Sequence, residues 1–110
     1  MDCIFCKIVA GEIPSKKVFE DEQILAFYDI EPKAPIHVLV IPKTHITGAA
    51  VVTAENSAVV AHIFETIPTI ANELGVTDFR VVTNNGADAG QTVHHLHFHI
   101  LGGGILGEMA

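Results

Sequence analysis

Short apolar runs, each closed off by proline, glycine or acidic residues, occupy the first and last thirds of the chain; between them, apolar residues recur at helical spacing. Residues 4–10 carry the pattern of a short helix, which Gly11 and Pro14 end. Residues 16–20 and 23–29 predict two strands, with Asp21 and Glu22 as a tight hairpin between them. The run IHVLVI at residues 36–41 is the strongest strand signal, bounded by Pro35 and Pro42. Val59, Ile63, Phe64, Ile67, Ile70, Ala71 and Leu74 form the apolar stripe of a helix over residues 54–74. Thr53 is placed to cap its first turn, Glu55 sits near the positive end of its dipole, and Gly75 ends it. Pro68 lies inside the stripe and should remove one backbone hydrogen bond and bend the helix. Residues 79–83 predict a fourth strand, 84–90 a glycine-rich turn, and 95–101 a fifth strand. Strands, one long helix, then strands again predict an α+β fold: a five-stranded antiparallel sheet with one long and one short helix.

Length and composition narrow the classes. The 110 residues, 49% of them hydrophobic, suit a single domain over 1–110 with its own core. No apolar run is long enough to span a membrane, so no membrane partner is expected. Asp2, Cys3, Cys6 and Lys7 crowd the N-terminus where an export signal needs a basic stretch and then an apolar one, so a cytoplasmic protein is expected. A net charge of −7 with only six Lys and Arg is a poor surface for releasing counterions from a nucleic-acid backbone, so no nucleic-acid partner is expected either.

Histidine is the anomaly. Seven occur, four of them between His94 and His99. Strand side chains alternate, so His95, His97 and His99 should share one face while Leu96, Phe98 and Ile100 bury the other. His94 would point away from His95 and receives no catalytic role. One histidine on a strand is usually a structural hydrogen-bonding residue; three on one face, about 6.5–7 Å apart at Cα, can surround one small anionic group or a metal. A zinc hydrolase could use H-x-H plus a third ligand, with an open coordination position. Phosphoryl chemistry needs a nucleophile at neutral pH, which imidazole supplies without an added base, and donors around the phosphate. The turn immediately before the row offers such donors, and it lacks the lysine of a P-loop. Cys3 and Cys6 form one C-x-x-C, which in a reducing compartment points to metal or redox chemistry before a disulfide.

In these features the chain resembles the histidine-triad (HIT) family, most closely its nucleoside phosphoramidate hydrolase branch. The hallmark His–apolar–His–apolar–His–apolar–apolar is met from His95 to Leu101. Further matching segments lie in order along the chain: Phe5, Lys7 and Ile8; Gly11-Glu12-Ile13-Pro14; Ala26-Phe27-Tyr28-Asp29-Ile30; Ala34-Pro35-Ile36-His37; Val40-Ile41-Pro42-Lys43 with His45; and Gly90-Gln91-Thr92-Val93. The resemblance implies an enzyme that cleaves purine nucleoside phosphoramidates or related nucleoside monophosphate derivatives. His97 would attack phosphorus and form a covalent nucleotidyl-histidine, with no cofactor needed for catalysis. His99 would bind phosphate oxygens and His37 would assist the proton transfers around His97. Asn84, the backbone of Gly90 and Gln91, and Thr92, where the family usually has serine, would hold the phosphate and the departing group. Asp29 would accept from the ribose hydroxyls, and Phe5, Ile8, Ile13, Phe27 and Ile30 would form an apolar purine slot. Some relatives hold a structural zinc, whose ligands here would be Cys3, Cys6, His45 and His95. The resemblance also implies a homodimer joined through the long helix and a strand. A nucleotide-binding regulatory adaptor with little catalysis is a further alternative.

Overall fold

The computed structural model describes residues 3–109; Met1, Asp2 and Ala110 lie outside the described residues, and with Asp2 part of the N-terminal charge pattern noted above. Two helices, α1 (Ile4–Val9) and α2 (Ser57–Leu74), and five strands, β1 (Lys17–Glu20), β2 (Ile24–Tyr28), β3 (Ile36–Pro42), β4 (Phe79–Val82) and β5 (Phe98–Gly102), make up the regular structure. The strands form one sheet in the order β1-β2-β3-β5-β4, and every neighbouring pair is antiparallel. The expected α+β architecture is therefore present, one helix long and one short.

The period of two in β2, β3 and β5 divides the interior into two clusters. Ile24, Ala26, Val38, Val40, Leu96, Phe98 and Ile100 pack with Ile63, Ile67 and Ile70 of α2. Each Val, Leu, Ile or Phe among them, fully buried, contributes about 1.5–3 kcal/mol. Leu25, Phe27, Leu39 and Ile41 point the other way and pack with Cys3, Phe5 and Ile8 of the α1 region. At six residues α1 is too short to hold together alone. Its stability comes from Phe5 and Ile8 beneath it and from Cys3, whose Sγ accepts the Cys6 amide at 3.3 Å.

Two boundaries differ from expectation. The long helix begins at Ser57, not at 54, because the Asn56 side chain takes the Thr53 amide at 2.7 Å and closes a separate turn first. Thr53 Oγ1 still accepts the Glu55 amide at 3.3 Å, so Thr53 caps that turn and not the helix. The last strand pairs only from Phe98, not from 95, because the preceding segment bonds elsewhere. The Leu96 amide donates to Ile46 O at 2.6 Å, and the Thr83 hydroxyl donates to His97 O at 2.8 Å. Pro68 is carried inside an unbroken α2. Among the described residues, no helix is long and apolar enough to cross a membrane.

Candidate functional site

The α1 face of the sheet opens into a cavity of about 870 Å³, within the roughly 300–1,000 Å³ usual for small-molecule sites. Phe5, Ile8, Ile13 and Phe27 line one part of it, Asp29 and His37 another, and Asn84, Gly90, Thr92, His97 and His99 a third. The histidine alternation survives although β5 starts late. Leu96, Phe98 and Ile100 lie under α2, while the rings of His97 and His99 stand 5.0 Å apart on the opposite side. His37 joins them from β3: Leu39 is the register partner of His99, which sets His37 diagonally across, with ring centroids 5.1 Å apart.

Hydrogen bonds fix where the protons sit. A carbonyl only accepts, so His97 Nδ1, 2.6 Å from His95 O, carries its proton and leaves Nε2 with a free lone pair. His37 Nδ1 accepts the Lys33 amide at 3.0 Å, so its proton is on Nε2, which donates to His99 Nδ1 at 2.9 Å. That in turn puts the His99 proton on its own Nε2. Asp29 Oδ2 lies 3.4 Å from His37 Nε2, while Oδ1 accepts the Glu31 amide at 2.8 Å. Phe5 touches His97 edge-to-face at 5.1 Å, coupling α1 to that ring's orientation.

Burial pushes His97 and His37 below the ordinary imidazole range, so His97 is neutral and nucleophilic at pH 7. His99 is pushed down to about 4, first by burial and then by the adjacent His97 and His37. The unfolded chain therefore takes up a proton at His99 near the ordinary imidazole value of 6.5, well before the folded one does. Stability from this group is full above that value and falls as pH drops toward 4. The melting temperature should accordingly fall between pH 7 and pH 5, and fall less in His99→Asn; equal falls in both proteins would contradict this.

His95, expected with His97, His99 and His37 among the catalytic residues, does not line the cavity. Its ring is fully buried; Nε2–H donates to Pro42 O at 2.8 Å, and the lone pair of Nδ1 faces Cys3 Sγ at 3.3 Å, Cys6 Sγ at 3.6 Å and His45 Nδ1 at 3.2 Å. Cys6 Sγ lies 3.4 Å from His45 Nδ1, and all four ligand atoms fall within 4.8 Å of one another. Tetrahedral zinc with two thiolates and two imidazoles has ligand–ligand edges of about 3.3–3.8 Å, so these residues fit the ion. The backbone carbonyl of His95, for its part, accepts from His97 Nδ1.

Asp29, His37 and His99 also lie close enough to suggest a metal. Their hydrogen bonding opposes it: with Nδ1 already accepting the Lys33 amide, a neutral His37 has no lone pair left on Nε2. The zinc-hydrolase alternative, which drew on the row His95, His97 and His99, loses His95, whose Nδ1 faces Cys3, Cys6 and His45 and whose Nε2–H is held by Pro42 O.

Two further expectations need correction. The amides of Gly90 and Gln91 were to cradle the phosphate, but they donate to Ala87 O at 3.0 Å and Gly86 O at 3.1 Å inside the turn, which Gly90 closes at φ +96°. The Gln91 side chain is equally occupied, donating to Thr47 O and Val93 O and accepting from the Gly86 amide. Ile30 is 94% exposed, at the rim of the slot and outside its packed wall. The lysine at position 33 is a residue that sequence patterns miss, because it acts through its amide.

A family model described as HIT domain matches residues 10–104. An uncharacterized HIT-like protein of Synechocystis is 50% identical over 103 residues, 93% of this chain and 90% of that protein. Protein HitA of Neisseria gonorrhoeae is 44% identical over 102 residues, 92% and 95% of the two chains. A HIT family hydrolase from Clostridium thermocellum superposes with a TM-score of 0.94 at 43% identity, covering 98% of this chain and 96% of that one. A histidine triad protein from Clostridium difficile gives 0.94 at 50% identity, covering 100% and 97%.

Proposed function

Because the chain belongs to the HIT domain family, we propose that it is a nucleotide hydrolase acting on purine nucleoside phosphoramidates or related nucleoside monophosphate derivatives through a nucleotidyl-His97 intermediate. The observation that carries this reading is the 2.6 Å contact from His97 Nδ1 to a backbone carbonyl, which presents a neutral, unprotonated Nε2 on a ring that lines the cavity. In the first step the Nε2–phosphorus bond forms and the phosphorus–nitrogen bond of the substrate breaks, the departing amine taking a proton from solvent. Water then attacks phosphorus and gives up a proton to solvent, the histidine–phosphorus bond breaks, and the nucleoside monophosphate leaves with His97 restored. His99 donates through Nε2–H to the phosphate oxygens, where negative charge builds up. His37 and Asp29 hold that ring's tautomer. Asn84 and Thr92 supply side-chain contacts to the phosphate end, and Asp29 accepts from the ribose. The name of the Clostridium thermocellum neighbour supports a hydrolase over an adaptor. Adenosine 5′-monophosphoramidate should yield AMP and ammonia; tight AMP binding with no turnover would select the regulatory adaptor instead.

The proposed zinc is structural, held by Cys3, Cys6, His45 and His95, and takes no part in a reaction step. Reduced thiolate ligands suit a cytoplasmic setting. The chain is proposed to work as one domain and as a homodimer. β4 is an edge of the sheet, and Phe64 on α2 and Phe79 on β4 are 50% and 37% exposed. Sedimentation at twice the chain mass is expected; a monomer at micromolar concentration would refute the pairing.

A further inference from the structure

Ser15 follows the turn that ends α1 and lines the large cavity beside Ile13 and Pro14. Its Oγ is buried and, among the described residues, is the side-chain nitrogen or oxygen left buried without a hydrogen-bond partner. Such an atom has given up the water it bonds in the unfolded chain and received nothing back, and native interiors rarely keep one without a reason. Alanine would fill almost the same space with no such penalty. The surroundings suggest the reason. Phe5, Ile8, Ile13 and Phe27 offer a base only apolar contact. The groups at the phosphate end are the histidines, Asn84 and Thr92, and Asp29 is the ribose acceptor, so neither set serves the heteroatoms of a base; Lys16, Glu31 and Lys33 also line the cavity but are exposed, and Tyr28 is half-buried with the Lys16 ammonium over its ring.

We infer that Ser15 is a specificity residue whose hydroxyl hydrogen-bonds the heteroatom edge of the purine. This rests on the reading of the cavity as a nucleotide site. One donor and two acceptor lone pairs let the hydroxyl pair with a ring nitrogen or an exocyclic amine. On binding, the side chain turns about its Cα–Cβ bond to bring the hydroxyl from its buried position to the base, and the apolar wall around it makes a mismatch costly.

The test is calorimetric binding of AMP and of analogues lacking one edge group each, namely purine riboside monophosphate and 1-deaza-, 3-deaza- and 7-deaza-AMP, to the wild type and to Ser15→Ala. The wild type should bind one of these about 10-fold more weakly than AMP. Ser15→Ala should bind AMP and that analogue alike, while its melting temperature without ligand stays at or above the wild-type value. Three results would overturn the inference: undiminished base discrimination in Ser15→Ala, a loss confined to discrimination against 2′-deoxy-AMP, or a lowered melting temperature with binding unchanged. Failure of the wild type to bind AMP at all would instead remove the nucleotide reading, and this inference with it.

Discussion

Replacing His97 by alanine should lower turnover of adenosine 5′-monophosphoramidate by about 10⁴-fold or more, a loss typical of a missing nucleophile. AMP affinity should change by less than about fivefold, because the proposed ribose and base contacts come from other residues. The asymmetry follows from geometry. His97 is buried, its Nδ1 is committed to the His95 carbonyl, and burial keeps the ring neutral. No other cavity histidine presents a free Nε2 lone pair: His37 Nδ1 accepts the Lys33 amide and His99 Nδ1 accepts from His37, which leaves both of their protons on Nε2. If a water molecule were the direct nucleophile, removing His97 would leave substantial turnover, and kcat measured on His97→Ala distinguishes the two cases.

Removal of the proposed zinc should produce the largest change in stability. The four ligands join the start of α1 to the segment after β3 and to the segment before β5. A site filled at 100 to 1,000 times its Kd adds about 3–4 kcal/mol. Chelation should therefore lower the melting temperature by about 10–20 °C in a domain this small. Metal analysis should find one zinc per chain, and Cys3→Ser should reduce both the zinc content and the melting temperature. Because the cavity rings lie outside the ligand set, apart from the His95 carbonyl, chelated but folded protein should keep its turnover at 25 °C. A folded, metal-free protein that has lost turnover would make zinc a participant in the reaction.

Much of this was legible in the sequence because two periodicities are strong. The apolar stripe from Val59 to Leu74 and the alternation from His95 to Leu101 identify the helix and which side the histidines take. Side-chain and backbone competition was not legible. Nothing local announces that Asn56 will close a turn ahead of α2, or that the Leu96 amide will reach Ile46 instead of a strand. The glycine-rich turn looked like a set of free amides, yet a tight turn uses its own. Cys3 and Cys6 stand out by their C-x-x-C spacing, but His45 and His95 join them only through the resemblance, and their convergence needs contacts across 92 positions of chain. Tautomers, and the buried hydroxyl of Ser15, depend on tertiary partners or their absence, which no pattern of residue types encodes.

The most direct test of the central claim is rapid acid-free quenching of the enzyme during turnover of an adenosine phosphoramidate, followed by peptide mass spectrometry. One adenylyl group on the peptide containing His97, mapped to that side chain and absent in His97→Gly, is the predicted result. Rapid turnover with no adduct at any quench time, or an adduct on another residue that survives in His97→Gly, would contradict it.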